Sequence, residues 1–192
     1  MHLILSSCDF RNDNSRKCII ENLGIEIEKC KVLYIPNEKA TINLIQSGFY
    51  INRVQEFGFQ KENIIVFNYY DADSYINLQI DAIYISGGNT FKTLERLKKC
   101  GFDREIVKYV NNGVTYIGGS AGAHIASRDV EHVLAFDNND TGVMDFQGLG
   151  LYEGILICHY SDSRKKIYDE ILSKSKFKVN LLTDNDSIII NN

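Results

Sequence analysis

Thr115-Tyr116-Ile117-Gly118-Gly119-Ser120-Ala121-Gly122-Ala123 runs from an apolar, β-prone segment directly into small residues that open a helix, with one serine at the junction. A chain that leaves a buried strand and enters a helix at a single residue must bend sharply there. The positions two before and two after such a bend have room for almost no side chain, and Gly118 and Gly122 meet that condition around Ser120. The Ser120 hydroxyl is then expected to stand exposed over a sheet edge. The first N–H groups of the helix, Ala121 foremost, would face any oxyanion formed beside it. This arrangement fits acyl transfer on a serine. A Gly/Ser-rich turn without chemistry has the same local pattern, so the reading depends on partners elsewhere in the chain.

Working outward from the bend, short apolar runs recur at His2–Ser7, Lys31–Ile35, Asn63–Asn68, Asp81–Ser86, Val114–Gly118 and Gly154–His159, and read as strands. Segments of helical period lie between them: Lys39–Phe57, with Ile42, Leu44, Ile45, Phe49 and Val54 along one side, then Thr90–Lys99 and Asp103–Asn111. Gly58, Gly101 and Gly113 stand where helices should stop. After Asp162 one more helix to about Lys174 precedes two short apolar runs, Lys178–Leu182 and Ser187–Ile190. Alternation of this kind predicts right-handed βαβ crossovers and an α/β three-layer sandwich, a mainly parallel sheet with helices on both faces. Ligands of such sheets sit at the carboxyl ends of the strands.

The 192 residues read as a single domain, 1–192, without repeat or linker. With 44% apolar residues and no run of 18, the chain is expected to be globular and not membrane-spanning. Its first residues lack the basic start and long apolar core of a secretory signal, which makes the cytoplasm the expected compartment. Five cysteines form no C-x-x-C pair and read as reduced thiols. A net charge of −4 with no basic cluster gives no footprint for nucleic acid or an anionic membrane. No cofactor or metal is expected.

A serine at a bend needs a base. Of His2, His124, His132 and His159, only His159 closes a buried-strand run, Gly154–Cys158, at the sheet edge toward which Ser120 points. His124 reads as a helix residue, His2 and His132 as structural. Cys158, adjacent to His159, is expected to turn its sulfur away into the core. The base in turn needs a carboxylate to fix its tautomer. Asp137, after the apolar stretch Val133-Leu134-Ala135-Phe136, is the expected partner, with Asp140 and Glu131 as alternatives. Ser86-Gly87-Gly88-Asn89-Thr90-Phe91 closes another strand and opens a helix without the spacing of a phosphate loop. It therefore reads as the source of a second oxyanion donor, the Gly88 N–H, beside that of Ala121.

Taken together, Gly87-Gly88-Asn89-Thr90-Phe91, Gly118-Gly119-Ser120-Ala121-Gly122-Ala123 and His159-Tyr160 resemble the peptidase E family of aspartyl dipeptidases, related to cyanophycinase. The likeness runs from the first strand to about Asp186. It implies a fold like that of class I glutamine amidotransferases, Ser120 as nucleophile, His159 as base, Asp137 upstream of the histidine, and Gly88 and Ala121 as oxyanion donors. It also implies a short peptide as substrate. Asn89 and Arg164 are the candidate substrate contacts, although Ser161-Asp162-Ser163-Arg164-Lys165-Lys166 goes into a helix sooner than the aspartyl-specific pattern and also reads as a solvated basic patch. Less C-terminal strand material than the family shows implies a sheet edge that a homodimer would cover. An esterase of the α/β-hydrolase kind fits less well, because only 39 residues separate Ser120 from His159. A glutamine amidotransferase would need cysteine at 120, and a silent binding protein would keep the pocket without turnover.

Overall fold

The computed structural model describes residues 1–191. In chain order the elements are β1 (His2–Ser6), α1 (Asp13–Asn22), β2 (Val32–Ile35), α2 (Ile42–Gln46), α3 (Phe49–Gln55), β3 (Ile64–Val66), β4 (Ala82–Ile85), α4 (Thr90–Lys99), α5 (Phe102–Asn111), β5 (Thr115–Gly119), α6 (Ala121–Ala126), β6 (Ile155–Ile157), α7 (Lys165–Lys174), β7 (Val179–Leu181) and β8 (Ser187–Asn191). Six strands form the main sheet in the order β3-β2-β4-β5-β1-β8. All neighbours are parallel except β8, which runs antiparallel along β1 with Ile4 opposite Ile189. Every residue of β2, β4 and β5 is buried. Side chains alternate between the two faces of a strand, so both faces of the sheet centre are covered, as expected of an α/β sandwich.

Two departures from the expected elements have local causes. The single helix foreseen over Lys39–Phe57 is broken into α2 and α3. Gly48, at φ +79°, takes a left-handed conformation at the break, and the Ser47 hydroxyl accepts the Phe49 N–H, which restarts the helix in a new direction. The run ending at His159 does not join the main sheet either: β6 pairs with β7 in a separate two-stranded parallel sheet. Ser127 and Tyr152 form an isolated bridge, and the N–H groups of Leu151 and Tyr152 both bond to the Ala126 carbonyl, so the strand is led back onto the end of α6.

A ring cluster fills the layer beside β2 and β4. Phe10 stacks on Phe57 at 4.9 Å and meets the edge of Tyr84 at 5.3 Å, and on the far side Phe67 stacks on Phe102 at 4.3 Å. Contacts of this kind add about 0.5–1.5 kcal/mol each beyond the apolar area they bury. Among the described residues no helix is long and apolar enough to cross a membrane, and the five cysteines are free thiols. The carboxyl ends of β1, β4 and β5 lie side by side in the sheet.

Candidate active site

The bend after β5 is a strained turn. Ser120 has φ +49° and ψ −106°, a conformation that non-glycine residues adopt only when their surroundings impose it. The surroundings do so here: its N–H donates to the Ser6 carbonyl at 2.9 Å and its carbonyl accepts the His124 N–H at 3.0 Å. The flanking glycines are required by contact. A Cβ on Gly118 would stand 2.7 Å from the Gly122 carbonyl, and one on Gly122 would collide with the Ile85 carbonyl. The serine is thereby held over the junction of β4, β5 and β1.

His159 reaches it. Its Nε2 lies 2.8 Å from Ser120 Oγ. His159 also has a left-handed backbone, φ +59°, and is pinned at both ends of the residue: its N–H donates to Ser7 Oγ at 2.8 Å and its carbonyl accepts the Tyr168 hydroxyl at 3.2 Å. On the other side of the ring, Nδ1 lies 2.6 Å from Asp184 Oδ1. A carboxylate on Nδ1 fixes the proton there, leaving the Nε2 lone pair for the serine hydroxyl. That hydrogen bond from His159 holds the Asp184 carboxyl below the usual carboxylate range. Asp184 sits on the turn between β7 and β8. The turn is tied by Asp186, whose Oδ2 accepts from both the N–H and the hydroxyl of Thr183, and its Asp186 carbonyl accepts the Ser7 N–H.

The carboxylate expected on His159 was Asp137, and the geometry corrects this. Asp137 Oδ2 instead accepts the Thr90 N–H at 2.7 Å, at the first turn of α4, where an anion faces the positive end of the helix. Val133–Phe136 forms no strand that could deliver Asp137 to the ring. A 3₁₀ helix, Glu131–Ala135, leads into the Asp137 loop. Asp140 pairs with Lys92 at 3.0 Å, and Glu131 is exposed on that same short helix. Asn89 is not free to meet a ligand: its Oδ1 accepts the Lys92 N–H as the cap of α4 and its Nδ2 donates to the Asn138 carbonyl at 2.8 Å. Cys158 is buried, but its sulfur lies 3.9 Å from the Ser120 carbonyl, facing the bend and not the helices beyond.

Of the two expected oxyanion donors, Gly88 lines the cavity beside Ser120, and Ala121 directly follows the serine. Ala121 opens α6, and a first-turn N–H has no acceptor within its own helix. The Gly88 N–H meets no protein acceptor among the described residues. Asn37 Nδ2 donates to the Gly87 carbonyl at 3.2 Å, and because C=O and N–H point opposite ways across a trans peptide, the Gly88 N–H is turned away from Asn37. The resulting cavity of about 350 Å³ is lined by Gly87, Gly88, Ser120, His159, Asp137 and Phe136, and by two cations, Arg11 and Arg164. Arg164 lies 6.0 Å above the Phe136 ring. Arg11 pairs through Nε with the buried Asp9 at 2.9 Å. No sequence motif marks Arg11; it enters the site because the strand end of β1 adjoins that of β5.

Two further groups border the pair. Burial, then the hydrogen bond and charge of Asp184, push the Cys8 thiol up to about 11, so it is protonated near neutrality. His124 bridges Thr90 Oγ1 and the Cys158 N–H, and burial holds its pKa well below the ordinary value. A larger groove of about 670 Å³ beside α7, lined in part by His132, Ile167, Ile171 and Phe177, shares no residue with the Ser120 cavity.

Fold and site define an α/β domain that carries a histidine-coupled serine on a strand-to-helix elbow. Comparison with known proteins narrows this further: the chain belongs to peptidase family S51, whose sequence pattern matches residues 2–192. It is 31% identical over 119 residues to uncharacterized peptidase PM1590 of Pasteurella multocida, a match covering 58% of this chain and 56% of that one. It is 26% identical over 153 residues to peptidase E of Nostoc sp., covering 78% of this chain and 59% of the relative. The match thus spans just over half the length of each of these two curated relatives. The 1.5 Å crystal structure of a "Putative Peptidase E Protein" from Listeria monocytogenes EGD-e superposes with a TM-score of 0.77 at 22% identity, covering 98% of this chain and 93% of that one, which shows the shared fold.

Proposed function

We propose that the chain is a serine peptidase that hydrolyses short peptides through an acyl-enzyme on Ser120. The observation that carries this is the relay Ser120 Oγ to His159 Nε2 at 2.8 Å and His159 Nδ1 to Asp184 Oδ1 at 2.6 Å, set on a strained elbow. His159 takes the serine proton as Oγ attacks the peptide carbonyl. Asp184 stabilises the imidazolium so formed, and His159 then returns the proton to the leaving amine. The N–H groups of Gly88 and Ala121 receive the oxyanion, and water releases the acyl group by the same route in reverse.

The cavity of about 350 Å³ admits a dipeptide-sized ligand more readily than a folded chain. Arg11 and Arg164 on its wall give it a cationic side, which favours substrates bearing a carboxylate close to the cleaved bond, Asp-Xaa dipeptides among them. Names of the relatives support a peptidase activity. The deciding experiment is a dipeptide panel with acidic, neutral and basic first residues, run on wild type and Ser120→Ala. Cleavage that requires Ser120 and is faster for acidic members upholds the reading. A folded protein that cleaves none of them ends it.

A further inference from the structure

Among the described residues one group of side chains has the make-up of a soft-cation site: Cys8 Sγ, His159 Nδ1 and an Asp184 carboxylate oxygen all lie within 4.8 Å of one another. Thiolate, imidazole and carboxylate are the donors that zinc takes, and a thiolate in the set selects against magnesium and calcium. With bonds of about 2.3 Å to sulfur and about 2.0–2.2 Å to nitrogen and oxygen, tetrahedral ligand atoms stand roughly 3.3–3.7 Å apart. Here Sγ is 4.0 Å from Nδ1, and Nδ1 is 2.6 Å from Oδ1. The sulfur has to close by a few tenths of an ångström and the carboxylate to open by somewhat under one. The Asp184 side chain is 60% exposed, so a rotation toward solvent supplies the opening. Three protein ligands leave the fourth position to water. The proposed proton path makes no use of Cys8, yet its sulfur faces the outer nitrogen of the base.

We infer that Cys8, His159 and Asp184 form an inhibitory site for zinc or another thiophilic divalent cation, which disables Ser120 by capturing the Nδ1 of its base. The consequence for turnover rests on His159 being the base proposed above. In the metal-free site Nδ1 carries the ring proton, held by Asp184, and Nε2 offers its lone pair to Ser120. Coordination needs the Nδ1 lone pair. The ring proton therefore moves to Nε2, the Cys8 thiol loses its proton to solvent, and one proton is released per cation bound with no electron transferred. Nε2–H then points at Ser120 Oγ as a donor and cannot accept the serine proton. The nucleophile stays in place without a base.

The test is a titration of chelator-treated protein with Co²⁺, then Zn²⁺, on wild type, Cys8→Ser, Cys8→Ala, Cys18→Ser and Ser120→Ala. Wild type, Cys18→Ser and Ser120→Ala should bind one Co²⁺ per chain with a sulfur-to-cobalt charge-transfer absorption that zinc displaces. Both Cys8 variants should lack that absorption. Peptide hydrolysis, expressed against each protein's own metal-free rate, should be insensitive to Mg²⁺, and its midpoint for zinc inhibition should rise at least tenfold in Cys8→Ser. Absence of the absorption in wild type, or an unchanged zinc midpoint in Cys8→Ser, overturns the site. The absorption is read without turnover: a protein that binds cobalt through Cys8 but cleaves no peptide upholds the cation site and sinks the peptidase reading, while cleavage without the absorption does the reverse.

Discussion

At the scale of single residues, the proposed function turns on which carboxylate meets His159. Asp184 occupies Nδ1, so Asp184→Asn should leave the fold intact and lower kcat by a factor on the order of 10⁴, by favouring the ring tautomer that cannot accept the serine proton. Steady-state kinetics beside a thermal melt would check this; a rate within tenfold of wild type would move the role elsewhere. Asp137 should show a different signature. Because it holds the Thr90 N–H at the head of α4, Asp137→Ala should cost about 1 kcal/mol of stability, visible as a lower urea midpoint. That Ser120 and His159 meet was legible from sequence because each closes an apolar run. Asp184 was not. It lies in Thr183-Asp184-Asn185-Asp186, a polar turn whose composition marks a turn and nothing more, and it reaches the ring only because β8 folds back antiparallel on β1. Local sequence carries no trace of that pairing.

Among elements, the elbow is the least tolerant. A methyl group at Gly122 meets the backbone carbonyl of Ile85, which has no side-chain freedom with which to yield. Gly122→Ala should therefore destabilise by about 3 kcal/mol or more, read from urea unfolding, in contrast to an exposed helical glycine-to-alanine change, which stabilises. The cap of α4 is a milder case: Asn89 accepts the Lys92 N–H, and Asn89→Ala should cost about 1 kcal/mol without abolishing turnover. The central strands were plain in the sequence as uninterrupted apolar runs, since strands buried on both faces need no alternation. The break between α2 and α3 was missed because the apolar spacing of Ile42, Leu44, Ile45, Phe49 and Val54 continues through Gly48, and only the left-handed φ of that glycine reveals the change of direction. The side sheet of β6 and β7 was likewise hidden, because a buried strand reads the same whichever sheet it joins.

For the whole molecule, acid stability follows from the histidines behind the elbow. The Nε2 of His124 accepts the Cys158 N–H, so a proton there would set two donors against each other. With burial as the main cause, the folded pKa lies well below the ordinary value, and that of His132 is lowered too. The unfolded chain titrates these rings near about 6.5. Below that pH the unfolded state binds more protons than the folded one, so stability is full above about 6.5 and falls as the pH drops toward the folded values. In His124→Gln the slope of unfolding free energy against pH should be shallower below about 6.5, even though the variant is less stable at neutrality. Urea titrations across that range would show it; an unchanged slope would exclude His124 as a source.

The turn that presents Asp184 is tethered on one side by β8, an edge strand with a single neighbour. Edge strands open at a lower free-energy cost than the sheet centre. Peeling β8 from β1 would withdraw the carboxylate while serine, histidine and core stay in register. Catalysis would then fail some degrees before the molecule melts, and hydrogen exchange along 187–191 would track the loss of rate more closely than any global probe of unfolding.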